Sequence, residues 1–175
     1  LTTSLTKSSK VFDINRYSAI FRSPGPGFTY VFNKKSFKMI VQHAIFKTFV
    51  PDQEIKFRWH DWLIFTISRS LKLSWSLSDN ADAEYRLHDS NDTGVVGLNN
   101  FYRRLKFFFD GDYILECTKM CDILGEIKIK ELLNTKNFLH RFELLKYEKL
   151  ARSIWYERII ISLSFLFSIR KHYEK

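Results

Sequence analysis

Two hydrophobic periods divide this chain. In its first part, short runs alternate apolar and polar positions. After Gly97, apolar and charged residues recur at helical spacing to the C-terminus. Residues 1–23 are polar and mixed and carry weak structural signals. The cluster SPGPG (23–27) is a turn or loop. It leads into FTYVF (28–32), whose β-branched and aromatic residues predict a strand. A helix is predicted from about Ser36 to Lys47, before Pro51-Asp52 breaks the chain. The segment after His60 has Leu63, Ile67 and Leu71 at helical spacing, with Trp62, Ile64 and Phe65 besides, the pattern of a largely buried helix. LKLSWSLS (71–78) alternates as a half-buried strand does. AEYRLH (83–88) predicts another short strand, running into the loop DSNDTG (89–94).

From Asn99 onward there is no proline, and a series of helices is predicted, with breaks at Gly111 and Gly125. The last contains IIISLSFLFSI (159–169), an apolar run with three serines flanked by Arg152, Arg158, Arg170 and Lys171. A membrane span needs about 20 apolar residues, so this run is too short to cross. Two readings stay open for it: a core helix packed on its own domain, or a helix lying in the interface of an anionic membrane.

Composition narrows the partners. The 175 residues suffice for one domain of ordinary size, and a hydrophobic share of 45% supports a packed core rather than disorder. Lys and Arg outnumber Asp and Glu by 28 to 19, a net charge of +9 that favours an anionic partner. Nucleic acid, an acidic membrane leaflet and phosphorylated substrates all qualify. The basic residues are spread along the whole chain and no nucleic-acid motif accompanies them, which disfavours nucleic acid. Cys117 and Cys121 share one helical face without a CxxC pair or a Cys/His cluster; they read as two reduced thiols in a cytosolic helix rather than a zinc site. The sequon Asn91-Asp92-Thr93 counts only in a secreted chain, and LTTSLTKSSKVF has no apolar signal core. The first residue is Leu rather than Met, as in a fragment.

Taken alone, Asp61 is a first-turn acid whose carboxylate accepts unpaired helix N–H groups. Arg86 and His88 alone read as surface or structural residues. Their order along the chain adds more: a glycine-led strand (GFTYVFNKK), HDW opening a helix, a short strand, then YRLHDSN and a glycine. Over about residues 24–97 this resembles the C-terminal half of the catalytic domain of family 2 glycosyltransferases with the GT-A fold, above all the rhamnosyltransferase-like members that build bacterial surface polysaccharides. The matching positions are Gly27-Phe28-Thr29, His60-Asp61-Trp62 and Tyr85-Arg86-Leu87-His88-Asp89-Ser90-Asn91. Phe28 stands where the family often has Cys.

The resemblance implies an α/β fold: a few strands of a partial GT-A sheet packed by helices over residues 1–97, with a helical extension over 98–175. It implies a nucleotide-sugar donor and a saccharide or lipid-linked acceptor; the expected location is cytoplasmic, with peripheral contact on the inner face of the membrane left open by the last helix. Asp61 becomes the general base that removes a proton from the acceptor hydroxyl. An Asp side chain suits that task because it is a carboxylate at neutral pH. His60, Trp62, Tyr85, Arg86, His88 and Asn91 become substrate- or donor-binding residues. Trp62 and Trp59 either stack on a sugar face or belong simply to the core, Arg86 offers a fork to diphosphate oxygens, and His88 completes the coordination of a divalent metal, Mg or Mn.

The family's nucleotide-binding half, which ends in a D-x-D motif, comes before these elements, and nothing before residue 24 supplies it. The chain is therefore expected to be an acceptor-side half that is inactive alone. FFFDGDY (107–113) contains Asp-Gly-Asp but lies after HDW and YRLH, out of the family's order. It reads as a turn between helices, with Asp110 or Asp112 as N-cap.

Overall fold

The computed structural model describes residues 17–25, 29–49, 59–75, 98–147, 149 and 155–169. Nine α-helices occur among these residues: α1 (Ser18–Phe21), α2 (Lys34–Gln42), α3 (Ala44–Phe49), α4 (His60–Ser70), α5 (Leu98–Phe109), α6 (Asp112–Leu124), α7 (Ile127–Asn134), α8 (Phe138–Arg141) and α9 (Trp155–Phe167). A 3-10 helix, Phe142–Tyr147, follows α8 directly.

The α/β expectation, GT-A sheet included, is overturned: no strand forms among the described residues. The alternation that suggested strands is nevertheless real. Tyr30 and Phe32 are half-buried while Val31 is 95% exposed. Leu71, Leu73 and Trp75 are half-buried while Lys72 and Ser74 face solvent. The two stretches meet through rings, Tyr30 to Trp75 at 4.9 Å and Phe32 to Trp75 at 6.0 Å, both edge-to-face. At 71–75 the alternation begins in the turn that ends α4, where Lys72 takes a left-handed conformation (φ 57°), so it reflects a helix end and the chain leaving it rather than a strand. The predicted strand at 83–88 lies outside the described residues.

The helix expected from about Ser36 to Lys47 is two helices. Asn33 caps α2 by accepting the Ser36 N–H at 2.8 Å, and His43 turns extended (φ −61°, ψ 137°) before α3 begins. In one straight helix Ile40 and Ile45 would point about 140° apart. The turn at His43 lets both reach the core. The helix after His60 and the breaks at Gly111 and Gly125 are as expected.

At the centre lies α6. Tyr113, Ile114, Cys117, Met120 and Cys121 are buried, and so are the polar Glu116, Thr118 and Lys119, so most of this helix is enclosed and Asp122 is its exposed position. It packs on α1, α4, α5 and α7, and a single apolar core runs from Ala19 to Phe165, drawing on both sides of the 97/98 division. Both cysteines are buried, and neither is in a disulfide. Burial pushes the Cys121 thiol well up, which fits inert reduced cysteines. In the DGD turn, Gly111 (φ 86°), rather than Asp110 or Asp112, takes the N-cap position. Asp112 opens the first turn of α6 and Asp110 lies 3.9 Å from Lys106.

The four residues of α1 are wholly buried, which a helix this short can tolerate only if other elements satisfy its carbonyls. They do. Ala19 accepts from the Trp62 indole at 2.7 Å and from the Thr66 hydroxyl at 3.1 Å, and Phe21 accepts from the Tyr113 hydroxyl at 3.0 Å. The Trp62 and Thr66 bonds fix α4, and with it the segment that carries Asp61, while the Tyr113 bond ties α1 to α6.

Candidate functional site

Asp61 sits in the first turn of α4, after Trp59, which enters the helix in extended conformation (φ −128°, ψ 97°) and supplies no side-chain cap. One carboxylate oxygen accepts the backbone N–H of Trp62 at 2.9 Å. The bond aims the group and places its charge where the helix dipole favours an anion. Because a carboxylate has two oxygens with four lone-pair sites, it remains a competent base. The group is half-buried, so it is held yet within reach of solvent.

Beside it runs the chain that follows SPGPG. The Tyr30 hydroxyl lies 2.6 Å from the Ser23 hydroxyl and donates to the Gly25 carbonyl at 2.9 Å. Burial pushes the Tyr30 phenol up to about 12; the Ser23 hydrogen bond opposes that shift, and the negative charge of Asp61 adds to it. Tyr30 is therefore a neutral phenol within the field of the Asp61 carboxylate. Sequence reasoning missed it because Tyr30 read as one more aromatic in a strand.

The other expected site residues divide. His60 is exposed at the start of α4, one residue from Asp61. Trp62 points inward: it is buried, its N–H is taken by Ala19, and its ring stacks with Tyr113 at 6.2 Å. Trp59 is half-buried, edge-on to Phe107 at 6.0 Å. Tyr85, Arg86, His88 and Asn91 lie outside the described residues. Among the described residues no group of three or more His, Cys, Asp or Glu could hold a metal ion. Asp110 and Asp112 supply only two carboxylates. His88, the residue that the family resemblance offers to a divalent metal, lies outside the described residues. Nor, among them, is any helix long and apolar enough to cross a membrane.

Comparison with known proteins gives one curated relative. Over 117 residues the chain is 27% identical to the dTDP-rhamnosyl transferase RfbG of Shigella flexneri, a stretch covering 63% of this chain and 38% of that protein. The similarity is therefore to a glycosyltransferase, over well under half of its length. No protein-family model matches the chain. No solved structure gives a significant match.

Proposed function

We propose that this stretch is the acceptor-activating part of a glycosyltransferase that moves a sugar from a nucleotide-sugar donor to a saccharide or lipid-linked acceptor in the synthesis of cell-surface polysaccharide. Asp61 takes the proton of the acceptor hydroxyl as that oxygen bonds to the anomeric carbon, and the nucleoside diphosphate leaves with the electron pair of the broken glycosyl bond. The name of the relative makes a dTDP-linked deoxyhexose the first donor to try. The observation that carries the reading is the oriented, half-exposed carboxylate at the start of α4, within a chain similar to a sugar transferase. Tyr30 is proposed to line the same acceptor side. Arg86 and His88 are proposed to meet the donor diphosphate.

The experiment is Asp61→Asn in a protein that joins residues 1–175 to a nucleotide-binding half bearing D-x-D. The amide still accepts the Trp62 N–H, so fold and donor binding are expected to persist while turnover drops about 10²–10⁴-fold. Unchanged turnover would remove Asp61 from the reaction and leave it a helix-start acid.

A further inference from the structure

Helix α9 has two apolar faces, and only one of them is covered. Ile161, Ser164 and Phe165 are buried. Ser164 donates to the Phe108 carbonyl at 2.8 Å, and the Phe165 ring meets Phe21 at 5.8 Å and Tyr113 at 6.4 Å. On the opposite side Tyr156, Ile159, Leu163 and Phe167 are all exposed, spaced three or four residues or two turns apart, so that they form one stripe. Trp155, 71% exposed, stands at its start.

The stripe does not end with α9. Phe138, Leu139 and Phe142 are exposed beside it, and the Phe138 ring lies 5.7 Å from Phe167 and 5.2 Å from Phe142. Arg141 binds the two elements together by donating to the Leu166 carbonyl at 2.8 Å. A contiguous apolar surface across two elements differs from singly scattered apolar residues and marks an interaction site.

Charge and aromatic type choose the occupant. From Lys136 to the end, nine Lys and Arg stand against four Glu. Among the described residues of this stretch, Lys136, Lys146 and Lys149 are exposed, against the exposed Glu143. An apolar stripe within a cationic segment, with Trp and Tyr at one end, suits the headgroup region of an anionic bilayer. The aliphatic and Phe side chains enter the acyl boundary, the indole and phenol settle at headgroup depth, and the cations meet lipid phosphates. The 13 residues of α9 are too few to span the hydrocarbon, so the helix would lie along the surface.

We propose that the face formed by Tyr156, Ile159, Leu163 and Phe167 of α9, with Phe138 and Leu139 of α8, docks this protein on an anionic lipid bilayer. The inference stands on this surface alone and survives the failure of the sugar-transfer reading.

The test sediments the 175-residue chain with vesicles of phosphatidylcholine, alone or mixed with phosphatidylserine. Binding to the mixed vesicles is expected to be tighter by about tenfold or more and to weaken as salt rises. Tryptophan emission should shift to the blue on binding, and the shift should vanish in Trp155→Phe. The double variant Leu163→Glu/Phe167→Glu changes only exposed positions. It should keep the circular dichroism spectrum of the parent and lose about tenfold or more of its vesicle affinity. Equal affinity for both vesicle types, or no binding at all, overturns the proposal. So does a dimer in sedimentation analysis that the double variant dissolves, because the face would then join two copies of the chain.

Discussion

The indole N–H of Trp62 reaches back 43 residues to the Ala19 carbonyl, at 2.7 Å. The residue following the candidate base is thereby a buried brace, holding α4 against α1. Trp62→Phe keeps an aromatic ring but deletes the donor, leaving Ala19 with the Thr66 hydroxyl at 3.1 Å. We expect a stability loss of about 1–3 kcal/mol in urea denaturation. No loss would show that the brace contributes nothing.

Tyr30 gives a pH signature. Its phenol is raised from 10.0 to about 12 in the fold, chiefly by burial. The folded state thus holds the proton more tightly than the unfolded chain does. The associated stability is fully present below pH 10 and is lost as pH rises through the interval to about 12. Denaturation midpoints of the parent should fall across that window more steeply than those of Tyr30→Phe, which has no phenol to titrate. Parallel curves for the two would contradict the placement of Tyr30.

Glu116 and Lys119 form an ion pair at 2.8 Å, with side chains 6% and 7% exposed, inside the most enclosed helix. Removing one partner leaves a charge in the core. Lys119→Met alone should therefore cost about 3–5 kcal/mol, and Glu116→Leu with Lys119→Met together considerably less. A double-mutant cycle in guanidinium measures this. Additive losses would mean that the two charges do not depend on each other.

Gly125 ends α6 at φ 70°, with the Glu126 N–H closing back on the Cys121 carbonyl at 2.9 Å. A Cβ built there meets nothing within 4 Å, so Gly125→Ala isolates the backbone cost. About 1–2 kcal/mol of destabilisation is expected in thermal unfolding. A neutral result would indicate that the left-handed turn relaxes.

Much of the helical part was legible because it is local. The apolar spacing of Leu63, Ile67 and Leu71 marks α4, and Gly111 and Gly125 sit where left-handed turns are required. The site was legible only as far as Asp61 and its helix start. That Tyr30 lies near Asp61 could not be read, since 31 residues separate them and a phenol in an alternating run looks like any other aromatic.

The sequence by itself determined where helices start and stop near Asp61, Gly111 and Gly125, because capping, glycine and side-chain spacing act within a turn or two. It also determined that Tyr30, Phe32, Leu73 and Trp75 point one way while Val31, Lys72 and Ser74 point the other. Only the tertiary structure decided that these alternating segments meet through rings rather than forming strands, that Trp62 faces the core, and that α9 buries one apolar face and exposes the other. Each of those outcomes depends on which surface finds a partner across tens of residues, and that is set by competing long-range packing rather than by any local pattern.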